Sequence, residues 1–232
     1  MQITIINKQV DVAYKRFKHW FQEEDLERVP KNSAVVIAMF RDPYDWIEAM
    51  RERPHHAHDH IGLDWRSFVT KPWTGVRGEN DKRLIETGQA RGNETLVCME
   101  HYSFKEIVPC SFDDSKKKNG YGNYKYELNH DGSEKPYSSI VDMRKEKILN
   151  HLTVRNFEGT RAFFPFRYED LNKDGTGVLL EKLTEITGIE PKCDATKATG
   201  EVKHKTVPKE FMDWMNKYAD WGVEGQIGYH QR

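Results

Sequence analysis

Arg41 is the residue of this chain best placed to do chemistry. It follows an uninterrupted apolar run, Ala34-Val35-Val36-Ile37-Ala38-Met39-Phe40, and precedes Asp42-Pro43-Tyr44-Asp45-Trp46. The β-branched stretch from Val35 to Ile37 suits a central parallel strand covered on both faces. Asp42 suits a helix N-cap and Pro43 the first helical position, so a helix should begin as the strand ends. Arg41 then sits at the carboxyl end of a strand beside a helix N-terminus. Ligands of open α/β sheets bind at that edge, and a guanidinium next to a helix N-terminus suits phosphate or sulfate. The competing reading is an ordinary strand–helix junction with an exposed arginine.

Other residues carry chemistry of different kinds. His55, His56, His58 and His60 cluster around Asp59, and histidines two apart on an extended strand can share a zinc or nickel ion. A solvated loop after Pro54 explains the same pattern. Asn172-Lys173-Asp174-Gly175 matches only a fragment of a calcium loop and reads as a turn. Glu169-Asp170 follows a second apolar run as an acid pair. Cys98, Cys110 and Cys193 fit no zinc spacing and read as reduced structural thiols. A Cys98–Cys110 bridge belongs to a secretory route, which the sequon Asn93-Glu94-Thr95 would also fit.

The elements that must hold these groups follow from patterning. Met1–Ile6 alternates weakly, as a short strand does. Tyr44–Arg53 places Trp46, Ile47 and Met50 on one helical face, and Pro54 stops that helix. Ser138-Ser139 caps a helix running to about Leu152, with Ile140, Val141, Ile148 and Leu152 toward a core. Ala162–Phe166 is a second strand, with Pro165 confining it to an edge or a bulge. Thr176–Thr187 is a helix closed by Gly188. Pro208–Tyr218 is another, with Phe211, Trp214, Met215 and Tyr218 on one face. The order strand, helix, insertion, helix, strand, helix, helix predicts an α/β architecture of three layers with a parallel sheet.

Composition narrows the function classes. The chain has 232 residues, 36 Lys plus Arg and 37 Asp plus Glu. That length predicts one domain over residues 1–232, with a variable, loop-rich insertion at about 54–136. A net charge of −1 offers no basic field for nucleic acid. No apolar run approaches the roughly 18–20 residues of a membrane span, and no signal-peptide core opens the chain. A cytoplasmic protein is the expectation, with a Golgi or secretory route if the N-terminus is truncated.

Two motifs stand in order: Val35-Val36-Ile37-Ala38-Met39-Phe40-Arg41-Asp42-Pro43-Tyr44-Asp45-Trp46, then Phe163-Phe164-Pro165-Phe166-Arg167-Tyr168-Glu169-Asp170-Leu171. A leucine-rich helix follows the second, and Gln226-Ile227-Gly228-Tyr229 comes near the close. The set resembles the sulfotransferase family. That resemblance implies a P-loop-like fold binding 3′-phosphoadenosine 5′-phosphosulfate (PAPS) and passing its sulfuryl group to a hydroxyl or amine. It implies Arg41 on the donor's 3′-phosphate, Lys18 as a second donor-binding residue and His19 as general base, with no metal. A histidine titrates near neutral pH and suits removal of the acceptor's proton. His19 also fits an aromatic cluster with Phe17, Trp20 and Phe21.

The chain departs from the family pattern at two places. Ala49 stands where the family motif carries a serine eight positions after the arginine. Residues 1–33 contain no glycine, so they hold no loop of the kind that cradles a 5′-phosphosulfate through backbone amides. A non-catalytic or truncated member of the fold, binding nucleotide or a partner, is therefore the alternative to an enzyme. A metal-binding protein built on His55–His60 is a third reading. The acceptor and the oligomeric state leave no mark on the sequence.

Overall fold

The structure is a computed structural model that describes residues 2–6, 22, 30–52, 57, 60–73, 137–202 and 204–232. Lys18, His19, His55, His56, His58, Cys98, Cys110 and most of the expected insertion lie outside the described residues. The chain divides into two compact units. One comprises Met1–Trp46, Lys147–Val207 and Asp220–Arg232, the other Ile47–Glu146 and Pro208–Ala219.

The first unit is organised by strand β2 (Ala34–Phe40), whose apolar run supplies a sheet centre. On one side β2 pairs in parallel with β3 (Thr160–Arg167), in a register running from Val35↔Ala162 to Phe40↔Arg167. On the other it pairs antiparallel with β1 (Gln2–Ile6), from Gln2↔Met39 to Ile6↔Val35. The parallel sheet expected from the sequence is thus present as one parallel pair, and the described sheet as a whole is mixed. Hydrophobic alternation does not report strand direction, which is why β1's orientation was not foreseen.

Alternate residues of β2 explain its depth. Val36, Ala38 and Phe40 pack with Ile148, Leu152, Val154, Val223, Ile227 and Tyr229 into one core cluster. Each fully buried aliphatic or aromatic side chain there stabilises by about 1.5–3 kcal/mol. On the opposite face Val35 is buried, while Ile37 and Met39 are only half-buried. Pro165 lies in β3, one of the two outer strands of the described sheet, where a missing amide is tolerated.

Helices follow the strands where capping chemistry puts them. Asp42 accepts from the amides of Tyr44 and Asp45 at 3.0 and 3.1 Å and opens α1 (Pro43–Glu52). Helix α2 (Trp65–Thr70) starts at Asp64, whose carboxylate accepts from the Ser67 amide and hydroxyl. These bonds hold the Asp64 carboxyl below its ordinary value. Ser139 Oγ accepts from the Asp142 amide at the start of α3 (Ile140–Thr153), the cap expected from Ser138-Ser139.

Beyond β3, α4 (Tyr168–Asp174) continues through Asn172 and Lys173, which the sequence placed in a turn. Gly175 ends it at φ +79°, and a Cβ there would stand 2.5 Å from the Thr196 carbonyl oxygen. Helix α5 (Gly177–Thr187) closes on Gly188 in the left-handed region, whose amide donates to the Thr184 carbonyl. Asp220 caps the short α7 (Trp221–Gln226).

The second unit carries α2 and α6 (Lys209–Tyr218), which pack on each other through Trp65 stacked on Phe211 at 4.2 Å. Phe68, Val69, Trp73, Tyr137, Phe211 and Met215 are buried in it. Trp73 and Trp65 thus serve this unit's packing. No helix among the described residues is long and apolar enough to cross a membrane.

Candidate functional site

The candidate site lies where β2 and β3 end side by side. Phe40 and Arg167 are in register, so Arg41 and Tyr168 leave neighbouring parallel strands at the same edge. Arg41 is half-buried, and its guanidinium carbon lies 5.7 Å from the centre of the Tyr168 ring. Tyr168 is 42% exposed at this edge.

Two residues beyond the strand ends the backbone is fastened across the pair. The Asp42 amide donates to Glu169 Oε1 at 2.9 Å, and the Tyr229 hydroxyl donates to Glu169 Oε2 at 2.6 Å. Glu169 is buried and therefore needs these partners. Arg167 grips Asp170 through Nε and Nη2 at 2.7 and 2.9 Å and donates from Nη1 to the Gly228 carbonyl. The bond to Asp170 raises the Arg167 pKa further above its ordinary value. Glu169 and Arg167 therefore act as braces at this edge, and both bring in the Gly228-Tyr229 segment.

The helix N-terminus next to Arg41 differs from the sequence reading. Asp42 Oδ1 accepts from the Tyr44 and Asp45 amides, so donors that an anion would use are already committed to a carboxylate. Arg41 supplies the site's positive charge through its side chain alone.

Asp42 and Asp45, 5% and 2% exposed, form a second charged group with residues the sequence reading did not single out. Arg232 Nη2 lies 2.7 Å from Asp42 Oδ1 and 3.3 Å from Asp45 Oδ1. His204 Nδ1 lies 3.1 Å from Asp45 Oδ2, and the Lys205 amide donates to Asp45 Oδ1 at 3.1 Å. Ligand atoms of Asp42, Asp45 and His204 fall within 4.8 Å of one another. The Arg232 guanidinium supplies the positive charge that this carboxylate pair calls for. The Arg232 amide donates to the Tyr44 hydroxyl at 3.1 Å. Burial raises the Tyr44 pKa, helped by the charges of Asp42 and Glu224 and opposed by that bond and the charge of Arg232.

Of the residues singled out by sequence, Arg41 stands at the strand edge, while Lys18 and His19 fall outside the described residues. Ala49 is half-buried on α1 and carries no hydroxyl. From the histidine cluster only His60 is described. It is fully buried, edge-on to Phe68 at 5.6 Å and 4.6 Å from the Trp73 ring centre. That is the environment of a packed core side chain. Cys193 is an exposed free thiol.

No protein-family model matches the chain, and neither a curated protein nor a solved structure does.

Proposed function

We propose that this chain is a sulfotransferase-like protein that binds PAPS at the Arg41 edge and passes its sulfuryl group to a hydroxyl or amine acceptor. The observation that carries the reading is the shared strand edge: β2 and β3 run parallel, end in register, and release the Arg41-Asp42-Pro43 and Tyr168-Glu169-Asp170 motifs side by side. A three-layer P-loop-like arrangement is the form of α/β fold that this reading takes. Arg41 would bind the 3′-phosphate through a charge-assisted contact worth about 1.5–3 kcal/mol.

In the reaction the acceptor oxygen or nitrogen bonds to sulfur, and the bond from sulfur to the 5′-phosphate oxygen breaks. The nucleotide leaves with that electron pair. His19 takes the acceptor's proton in this scheme, and Lys18 assists donor binding. No metal enters this scheme. Residues 1–33 contain no glycine, so the glycine-bearing loop of the family pattern is missing from their sequence. That absence, with the α1 amides committed to Asp42, favours a second reading in which the chain binds the nucleotide without turning it over.

The desulfonated nucleotide, 3′-phosphoadenosine 5′-phosphate, separates these readings from an unrelated function. It should raise the melting temperature of the wild-type protein and not of Arg41→Ala. No rise in the wild type at millimolar nucleotide overturns both readings. Sulfuryl transfer from labelled PAPS that is lost in His19→Ala selects the enzyme, and binding without transfer selects the non-catalytic relative.

A further inference from the structure

The carboxylates of Asp42 and Asp45 each spend one oxygen on the backbone and turn the other to the same histidine. Asp42 Oδ1 accepts from the Tyr44 and Asp45 amides, and Asp45 Oδ1 accepts from the Lys205 amide at 3.1 Å. His204 Nδ1 stands 3.1 Å from Asp45 Oδ2 and 3.9 Å from Asp42 Oδ2. Asp42 Oδ2 takes part in no hydrogen bond among the described residues, although its side chain is only 7% exposed. A buried carboxylate oxygen in that state calls for a cation. Arg232 brings one guanidinium to the two carboxylates, and its contacts at 2.7 and 3.3 Å are both to Oδ1. The pair is left with one negative charge in excess, and both Oδ2 atoms stand outside those contacts.

We propose that Asp42 Oδ2, Asp45 Oδ2 and His204 Nδ1 bind a divalent metal ion of the zinc class. One ligand atom from each residue falls within 4.8 Å of the other two. Zinc bonds of about 2.0–2.2 Å set tetrahedral ligand atoms ~3.3–3.6 Å apart. The 3.1 and 3.9 Å from Nδ1 to the two carboxylates straddle that spacing, so small side-chain rotations close the site on one ion. The imidazole selects the metal, because magnesium and calcium take oxygen ligands while zinc accepts nitrogen and carboxylate together. Three protein ligands leave the fourth tetrahedral position to water. The His204 side chain is 40% exposed, which gives an ion access without unfolding. The amides bonded to the Oδ1 atoms orient the carboxylates, as outer-shell partners of metal ligands do. Arg232 is the internal competitor, since a divalent ion on the Oδ2 atoms repels the guanidinium on the Oδ1 atoms. This inference is independent of the proposed enzymatic activity.

Zinc titration of the intact protein tests the site. Calorimetry at about pH 7.5, in a buffer that binds no metal, should show saturable uptake by the wild type. Zinc should also raise the melting temperature. Losing an outer-shell partner weakens a metal site roughly ten- to a hundredfold, so His204→Ala and Asp45→Asn should each bind zinc about tenfold more weakly or worse. Arg232→Gln should bind it several-fold more tightly, because the competing charge is gone. Nitrogen-15 NMR should show zinc moving the His204 Nδ1 resonance, with the ring's other nitrogen keeping its proton. Should the buried Asp45→Asn not fold, the exposed His204→Ala decides. The proposal is overturned if the wild type takes up no zinc at millimolar concentration. It is equally overturned if His204→Ala binds as tightly as wild type, the result that uptake by His55, His56 and His58 would give.

Discussion

The amide of Asp42 donates to the carboxylate of Glu169 across 127 positions of chain, two residues beyond the paired strand ends Phe40 and Arg167. This one bond makes the two strand-to-helix turns a single object. Strand pairing sets the register, and the bond carries that register past the sheet into the turns where Arg41 and Tyr168 stand.

Removing the Glu169 carboxylate should therefore cost more than an average surface change. Glu169→Ala leaves the Asp42 amide and the Tyr229 hydroxyl without their acceptor in a buried setting, a loss of about 1–3 kcal/mol for each stranded group. Tyr229→Phe removes one donor and should cost less, about 1.5 kcal/mol for a hydrogen bond to a charged group. Urea unfolding of both variants measures the order, and the double variant should lose less than the two single losses combined. Equal stability of Glu169→Ala and wild type would contradict the bracing role.

Arg41→Ala should weaken 3′-phosphoadenosine 5′-phosphate binding by roughly ten- to a hundredfold, the equivalent of about 1.5–3 kcal/mol. Arg41→Lys should fall between, because an ammonium keeps the charge and loses the planar fork. Titration calorimetry gives the series. A Kd unmoved in Arg41→Ala removes Arg41 from the site.

Gly175 and Gly188 both have positive φ, and their surroundings differ. At Gly175, φ +79° combines with backbone of residues 196–198 standing where a side chain would go, at 2.5 Å for the Thr196 carbonyl. At Gly188 the same space is open. Gly188→Ala should cost about 1 kcal/mol, the strain of a left-handed residue alone. Gly175→Ala should cost clearly more, since rigid backbone must move as well. Thermal melts that rank the two the other way would mean the 196–200 segment yields freely.

Tyr44 has a pH dependence whose sign follows from its burial. Its pKa is raised in the folded chain, so the neutral phenol stabilises the fold fully below the ordinary tyrosine value of about 10. That contribution is lost as pH climbs through the ordinary value toward the raised one. Tyr44→Phe has no such loss, although it lacks the acceptor for the Arg232 amide. The stability gap between wild type and Tyr44→Phe should therefore narrow steadily above pH ~10. A constant gap across that range would show the phenol ionising freely.

Much of the fold was legible because its signals are local. The Ala34–Phe40 run, the Asp42-Pro43 start, the Ser139 cap and the Gly188 stop each fall where the sequence places them. Each is decided by a handful of adjacent residues. The Asp64 and Asp220 caps used the same chemistry and passed unnoticed, because they open helices of only six residues with too little periodicity to attract attention. The direction of β1 was hidden for a different reason, since pairing partners are set by topology. The cluster at the start of α1 was hidden most completely. Asp45 meets His204 and Arg232 across 159 and 187 positions, and nothing in the neighbourhood of any one residue announces the others.

On the proposed reading, the cap formed by Asp42 leaves discrimination among anions at this edge to the Arg41 side chain. Backbone amides recognise an oxyanion by direction, and they keep much of their grip in concentrated electrolyte. A guanidinium standing beside a helix whose first amides face inward to a carboxylate has only its own charge and its planar fork of donors to offer. Such a grip is screened over a Debye length of about 8 Å at physiological ionic strength. On the proposed reading, occupancy at this edge would be a contest with chloride and free phosphate, decided as much by the composition of the surrounding fluid as by the shape of the protein.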